Sequence, residues 1–269
     1  MKKSRFVIIV CICLIAYGTF RYVDQKDVDT GQSPVFHIPE TTLKVSVKAK
    51  EKDLLAGIVV TDYEDGDISG KAFVESISPF DENKERTVTY AVFDKDDHIS
   101  RGTRKIKYKD YKAPKFDIIK PLTTVYFGNQ NYFLNHVTAY SSVDGNLTSN
   151  ISFDANLNET GPSTVRYSVV DSCGVESSIN LEVSNVAPNS TIDIELSDYL
   201  IYVPKGKQLE PLDYIKNINY LGMQANDLIS DVSVHTNYNP NKKGMYEIIY
   251  KINKGNDEFG ATKLVVVVQ

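Results

Sequence analysis

The sequence predicts an all-β protein: three tandem small β-sandwich domains that follow an N-terminal hydrophobic helix. Two features recur with nearly the same period, which indicates a repeat array. Prolines that precede strand-like segments lie 80 and 74 positions apart, at Pro34, Pro114 and Pro188. Tyrosines within alternating segments lie 77 and 83 positions apart, at Tyr90, Tyr167 and Tyr250. Repeats of roughly 75–80 residues with short strands suit a sandwich better than an up-and-down barrel.

Composition limits the class of protein. The 269 residues are 42% hydrophobic and 24% charged, as in an ordinary globular chain. The formal net charge is −5, and residues 1–21 hold four basic residues and no acid, so the remainder carries −9. An acidic body argues against a nucleic-acid-binding face. Outside the N-terminal segment Cys173 is the sole cysteine, which excludes a disulfide framework there and predicts a free thiol.

The N-terminus has the pattern of an export signal. A basic stretch at residues 2–5 precedes an apolar run at residues 6–20. We expect residues 1–21 to stay as a signal anchor, with cleavage after Gly18 as the alternative. Either outcome places the remainder outside the cytoplasm, behind a polar linker at residues 22–33.

The last two strands of each repeat are the clearest in the sequence. Their residues alternate between apolar and polar and are flanked by turn residues. They are predicted at 87–94 and 104–108, at 164–171 and 178–183, and at 247–252 and 263–268. The domains are accordingly predicted at 34–111, 112–187 and 188–269. Residues 212–218 fit a short helical turn or a strand equally well.

One acidic stretch organises the repeats. Residues 61–69 place four carboxylates and a glycine between two strand-like segments. A second copy follows at residues 141–148 and a fainter one at residues 225–230, where Ala225 takes the place of Asp65. This recurrence describes architecture and does not by itself name a ligand.

The stretch 60–69, followed by the tyrosine strand 88–94, resembles the bacterial immunoglobulin-like repeat known from a pesticidal crystal protein. The second copy keeps Asp144-Gly145 and Leu147-Thr148. The resemblance covers most of residues 34–186 and extends less fully over 188–269. It implies immunoglobulin-like sandwiches in an exported surface protein with an architectural role, and it implies no catalysis.

Two interpretations of the acidic residues stay open. In an immunoglobulin-like sandwich the loop at 61–69 and the loop after Phe93 lie at one end. Their oxygens could then form a calcium site, although the spacing is not that of an EF-hand. In the second repeat, Asp144, Asn146 and Asp171 would face the junction with the first. Alternatively, the Asp side chains accept bonds from nearby backbone N–H groups in turns. The predicted calcium ligands are Asp62, Glu64, Asp65, Asp67 and Asp94.

Other chemistry has weak support in the sequence. The four histidines are scattered without metal-ligand spacing, and no nucleophile elbow or phosphate-binding loop occurs. We therefore predict a non-enzymatic surface spacer and adhesion-type interaction module, whose partner is a surface protein or a cell-envelope polymer. The alternative is a calcium-dependent module that binds a glycan or envelope polymer. The short linker at 111–112 predicts a semi-rigid array with the third domain outermost, and its loop 221–224 is the first candidate for binding.

Overall fold

The computed structural model describes residues 31–120, 130–158, 163–183, 190–255 and 258–269. It is all-β, as predicted. The predicted signal anchor at residues 1–21 lies outside the described residues. Within the described ranges, no helix has the length and apolar character needed to cross a membrane.

Strands dominate the described chain. They are β1 (Val35–His37), β2 (Leu43–Val45), β3 (Val59–Asp62), β4 (Gly66–Asp67), β5 (Phe73–Ile77), β6 (Arg86–Phe93), β7 (Ile99–Tyr108), β8 (Lys115–Ile118), β9 (Val137–Ser141), β10 (Gly145–Asn146), β11 (Ser152–Asn156), β12 (Ser163–Val170), β13 (Glu176–Val183), β14 (Ile192–Leu196), β15 (Leu200–Val203), β16 (Ile215–Tyr220), β17 (Met223–Gln224), β18 (Ser233–Thr236), β19 (Gly244–Gly255) and β20 (Glu258–Val268). The α-helices are short, at Glu51–Leu54 and Gln130–Leu134, and 3-10 segments occupy Ser69–Lys71, Thr148–Asn150, Pro211–Tyr214 and Asn226–Asp231.

The chain divides into two compact units, with the boundary between Lys109 and Asp110. In the N-terminal unit, β1, β3 and β4 form one sheet, and β2, β7, β6 and β5 form a second. All neighbours are antiparallel except β2 and β7, which run parallel. Val60 from the first sheet and Val88, Val92 and Ile106 from the second are fully buried in one core. The unit is therefore a sandwich.

The C-terminal unit contains two further pairs of sheets. The first pair of sheets has the orders β10-β9-β8 and β11-β12-β13. The second has β14-β16-β17 and β15-β20-β19-β18, again with a parallel pair, β15 and β20. Each pair encloses its own apolar core. We refer to them as the middle sandwich (β8–β13) and the last sandwich (β14–β20).

The last sandwich packs along the side of the middle sandwich in the opposite direction. Tyr202 accepts a bond from the backbone N–H of Phe116 and donates to its carbonyl, both at 3.2 Å, near the start of β8. At the other end, the Nζ of Lys263 donates to the carbonyl of Glu182 and to Glu247 Oε1, the latter at 2.7 Å. Leu200 and Val265 join the middle core. The last sandwich consequently lies beside the middle sandwich and does not project beyond it, contrary to our expectation.

Buried charge reinforces this side-by-side packing. The side chain of Lys263 is only 2% exposed, and Glu247 is its partner in an ion pair. Removing one member of a buried pair typically costs about 3–5 kcal/mol, because the other charge is left without compensation. The ion pair lies within the last sandwich and holds the Lys263 ammonium group in place to donate to the carbonyl of Glu182 in the middle sandwich. The two sandwiches are thus joined by apolar contacts and hydrogen bonds, which explains why they form one compact unit.

A buried tyrosine hydroxyl recurs in all three sandwiches. Tyr90 donates to the carbonyl of Leu54 at 2.9 Å, and Tyr167 donates to that of Phe133 at 2.9 Å. Tyr250 donates to the carbonyl of Pro211 at 2.8 Å. Each acceptor belongs to a short helical turn that precedes a strand of the opposite sheet. Each tyrosine therefore links that turn to the sheet in which the tyrosine lies. A buried carbonyl deprived of its donor costs about 1–3 kcal/mol.

Because these three tyrosines are buried, we expect the stability of the fold to decrease at alkaline pH. Burial raises the pKa of Tyr90, Tyr167 and Tyr250, because it disfavours the phenolate. Unfolded tyrosines ionise near pH 10, so above about pH 10 the unfolded chain binds fewer protons than the folded chain. The tyrosine contribution to stability is then complete below about pH 10 and is lost as the pH rises toward the folded-state pKa values.

Urea unfolding at about pH 8 and about pH 11 measures this effect. We expect a lower midpoint at the higher pH, and Tyr167→Phe should reduce the difference between the two midpoints. The control Tyr140→Phe changes a side chain that is 64% exposed and should leave that difference unaltered. An unchanged midpoint across this pH range would contradict the prediction.

Candidate functional site

The acidic stretch folds into a tight hairpin between β3 and β4. Asp62 Oδ1 accepts the backbone N–H groups of Glu64 and Asp65, each at 2.8 Å. Gly66 has φ of 72°, a left-handed conformation that glycine adopts without a steric penalty. This aspartate therefore shapes the turn.

The last residues of the acidic stretch, Asp67 to Ser69, connect the 3-10 turn to strand β3. The Oδ1 atom of Asp67 accepts the N–H of Ser69 at 2.9 Å and also its hydroxyl. Those bonds lower the pKa of the Asp67 carboxyl. The Oγ of Ser69 in turn accepts the N–H of Val60 at 2.9 Å, which ties the 3-10 turn to β3. Ile68, between the two polar residues, is buried in the core.

The tie from this turn to the strand is present in all three sandwiches. In the middle sandwich Thr148 Oγ1 accepts the N–H of Ala139 at 3.2 Å. In the last sandwich Asn226 Oδ1 accepts the N–H of Ile218 at 2.8 Å. The third copy of the motif is therefore real, although its hydroxyl is replaced by an amide.

The alignment expected for the third copy was wrong. Ala225 donates its N–H to the carbonyl of Ile218, as Ile68 does to Val60, so Ala225 corresponds to Ile68 and not to Asp65. The hairpin is also shorter, because Leu221 and Gly222 alone connect β16 to β17. Both have positive φ, 49° and 80°, as a two-residue turn of this kind requires. The acidic residues have no counterpart in this shorter loop.

The loop after β6 contains the fifth predicted ligand. Asp94 Oδ1 accepts the N–H groups of Asp96 at 2.8 Å and His98 at 2.9 Å, and its Oδ2 lies 2.9 Å from His98 Nδ1. Burial alone would raise the pKa of the Asp94 carboxyl, but these hydrogen bonds outweigh burial and lower it. Asp94 thus closes its own loop.

The two acidic loops of the N-terminal unit do meet, as the immunoglobulin-like arrangement predicts. Asp65 Oδ2 accepts the backbone N–H of Lys95 at 2.9 Å and lies 3.3 Å from Lys71 Nζ. Glu64 Oε2 lies 3.2 Å from Lys95 Nζ, and this contact raises the pKa of the lysine. The carboxylates therefore face lysines and backbone donors.

The described residues contain no group of three or more His, Cys, Asp and Glu side chains arranged to hold a metal ion. Of the predicted ligands, Asp62 has a buried Oδ2 without a hydrogen-bond partner in the described part of the chain. Its Oδ1 and the other predicted carboxylates take part in the turn and ion-pair contacts above. The turn interpretation thus describes the observed contacts, and the calcium site stays a prediction.

The middle sandwich repeats this end with one addition. Asp144 Oδ2 accepts the N–H of Ser172 at 2.9 Å, as Asp65 does for Lys95. Asp171 Oδ1 accepts the N–H groups of Cys173 at 2.9 Å and Val175 at 3.0 Å. Its Oδ2 accepts the hydroxyl of Tyr111 at 2.7 Å, where the first repeat has a histidine. Burial and, to a smaller extent, this hydrogen bond to Asp171 raise the pKa of Tyr111.

Sequence reasoning missed Tyr111 and Ser141. Tyr111 lies in the predicted linker, and its partner is 60 residues away. Ser141 Oγ accepts the N–H groups of Val143 and Asp144, as Asp62 does in the first repeat. Its position in the second copy of the motif was a usable signal, because serine and aspartate both form such turns.

Comparison with known proteins gives no family assignment. No protein-family model matches the chain, and no curated protein matches it. Among solved structures, the chain is similar to the M60 catalytic domain with the CBM51-1 and CBM51-2 domains of Clostridium perfringens ZmpB. That match has 10% identity and a TM-score of 0.24, and it covers 88% of this chain and 31% of the other.

Two further solved structures show similarity of the same order. The CBM51-2 domain in complex with GlcNAc and the INT domains of C. perfringens ZmpB match with 18% identity and a TM-score of 0.23, over 57% of this chain and 42% of the other. Human CDH23 EC21-23 matches with 14% identity and a TM-score of 0.22, over 88% of this chain and 100% of the other. The chain thus spans less than half of either ZmpB structure. Similarities this low support no inference about function.

Substitution of Asp171 should destabilise the fold, because its carboxylate oxygens accept three hydrogen bonds. Asp171→Ala leaves two backbone N–H groups and the Tyr111 hydroxyl without their acceptor, so we expect a loss of about 2–4 kcal/mol. Asp171→Asn keeps one carbonyl oxygen and should lose less. Asp154→Ala, on an exposed strand position, should stay within about 0.5 kcal/mol of the parent. Urea unfolding measures all three, and equal losses for Asp171→Ala and Asp154→Ala would contradict the prediction.

The calcium prediction is checked by thermal unfolding in EDTA and in millimolar calcium. A bound ion predicts a higher melting temperature in calcium, since a ligand that binds only the folded state stabilises it. The variant Asp62→Asn/Asp67→Asn should lose that increase. Superimposable curves for the parent would reject the calcium site and leave the acidic stretch as turn chemistry.

Proposed function

We propose that the chain is a non-enzymatic, extracytoplasmic protein of three tandem immunoglobulin-like domains that serves as a cell-surface spacer and interaction module. Residues 1–21 would anchor it in the cell membrane. The domains would occupy residues 34–111, 112–187 and 188–269, in line with the repeated sheet orders. The likeness to the pesticidal crystal protein type of repeat belongs to this proposal and is supported by the motif in the first two repeats.

The observation that carries the proposal is the use of the repeated polar side chains. Ser69, Thr148 and Asn226 each bond the backbone of the neighbouring strand. The recurring tyrosines each bond a backbone carbonyl of their own sandwich. Residues that recur three times thus hold the fold together, as expected of a module repeated for its architecture.

The reactive side chains also support a non-enzymatic role. Cys173 is only 1% exposed, so a substrate has no direct access to its sulfur. His98 Nδ1 contacts Asp94, and His136 Nδ1 lies 2.6 Å from the carbonyl of Tyr132. These groups stabilise loops of their own sandwiches.

The expected partner is a surface protein or a cell-envelope polymer. Loops on rigid β-sandwich scaffolds are common binding sites. Leu221 and Met223, in the loop region singled out from the sequence, are 65% and 70% exposed. Exposed apolar side chains on a short turn suit contact with another macromolecule.

Location is tested with a full-length chain that carries a C-terminal epitope tag. We expect the tagged chain to fractionate with membranes and to be digested by protease added to intact cells, because the body is exported. A cytoplasmic marker protein should stay protected in the same cells. Deletion of residues 6–20 should leave the chain soluble inside the cell. A tag that becomes accessible only after lysis would contradict the proposed function.

A further inference from the structure

Two loops at one end of the last sandwich carry four exposed lysines. The loop that follows β15 contains Lys205 and Lys207, and the loop that precedes β19 contains Lys242 and Lys243. The two loops are joined, since the N–H of Gly206 donates to the carbonyl of Pro240 at 2.7 Å. The hydroxyl of Tyr238 also donates to the carbonyl of Lys207. These bonds join residues 34 and 31 positions apart in sequence and hold the two loops as one surface, the lysine loops.

These lysines lack carboxylate partners within the described residues. Among the described residues, the last sandwich forms two ion pairs, Lys216 with Glu195 and Lys263 with Glu247. The lysine loops therefore present four positive charges without neutralisation, in a chain whose body is acidic. A local cluster of one sign on a body of the opposite sign attracts oppositely charged partners.

A cleft opens at the same end of the C-terminal unit. It has a volume of about 600 Å³ and is lined by residues of both sandwiches, none of them acidic. Lys112 and Lys115 line it, and Lys115 Nζ lies 4.4 Å from the centre of the Tyr202 ring. Pro114 and Phe116 form an apolar part of its wall.

The cleft and the lysine loops are connected through the end of β20. Lys115 Nζ lies 3.3 Å from Gln269 Oε1, and Gln269 donates its N–H to the carbonyl of Val203 at 2.9 Å. Val203 directly precedes the first lysine loop. The opposite directions of the two sandwiches are the reason that lysines from the start of one meet lysines from the far end of the other.

We propose that the cleft and the lysine loops together bind an anionic polysaccharide or phosphodiester polymer of the cell envelope. One exposed lysine contributes at most about 1 kcal/mol to an ion pair, so a single small anion would bind weakly. A polymer with repeated anionic groups engages several lysines at once and gains by multivalency. An aromatic ring beside polar groups in a concave site suits a sugar unit better than a flat bilayer, which does not enter a cleft.

This inference rests on the proposed function in one respect, since an envelope polymer is available only to an extracytoplasmic chain. The binding chemistry is tested separately from location. The full-length chain in neutral detergent is titrated with poly(glycerol phosphate), with polygalacturonate and with neutral dextran. We expect the two anionic polymers to bind and dextran not to bind, with affinity decreasing as salt is raised. Stronger binding of one anionic polymer identifies phosphate or carboxylate as the preferred group.

Matched variants locate the site. We expect Lys205→Gln/Lys207→Gln/Lys242→Gln/Lys243→Gln to weaken binding at least about tenfold, and Lys112→Gln/Lys115→Gln to weaken it about three- to tenfold. The control Lys44→Gln/Lys48→Gln/Lys52→Gln/Lys254→Gln removes the same charge from exposed positions elsewhere and should stay within about threefold. Circular dichroism and unfolding midpoints verify that every variant is folded.

Three results would overturn the inference. Equal losses in the two fourfold variants would show attraction by overall charge and no defined site. Equal binding of dextran would remove the role of the anion. Binding to vesicles with anionic lipid, without binding to either polymer, would assign the lysines to a membrane. A folded chain that binds the polymers but stays inside cells would refute only the proposed location, so the two failures are distinguishable.

Discussion

The structure depends on hydrogen bonds between side chains and backbone groups at the turns that connect the strands. A small sandwich buries two sheet faces, and its connections must cross the edge of the core without leaving polar groups unpaired. The tyrosine hydroxyls at positions 90, 167 and 250 satisfy carbonyls of the turns that precede β3, β9 and β16. The three tyrosine side chains are fully buried, so losing either the hydroxyl or its acceptor carries a penalty, and the period of the tyrosines follows from this constraint.

Period-two alternation and turn residues were sufficient to predict the last two strands of each repeat. The predicted pairs at 87–94 and 104–108, and at 164–171 and 178–183, correspond to β6, β7, β12 and β13. The all-β class follows from the same signals. The short helices at Glu51–Leu54 and Gln130–Leu134 were missed, because one turn of helix is too short for a periodic pattern and is held by the tyrosine contact instead. Residues 212–218, ambiguous in sequence, contain both a 3-10 turn and the start of β16.

The site was predicted in part for a similar reason. The meeting of the loop at 61–69 with the loop after β6 followed from the sandwich topology, and Asp65 does bond Lys95 across it. The sequence could not show that lysines and N–H groups would surround the carboxylates, since Lys71 and Lys95 are distant in the chain. It also could not show the register of the third copy, where a turn shortened to Leu221-Gly222 moves Ala225 into the position of Ile68.

The opposite directions of the middle and last sandwiches follow from residues with no repeat counterpart. Leu200 and Val265 belong to strands of the last sandwich and yet pack into the middle core, and Lys263 reaches the carbonyl of Glu182. A lysine is rarely fully buried without partners, so its pairing with Glu247 is specific to this arrangement. The repeated residues thus build each sandwich, whereas the unrepeated residues decide how two sandwiches meet. The lysines of the cleft and of the lysine loops are likewise unrepeated, and a function particular to this chain is therefore expected there and not in the repeated, architectural residues.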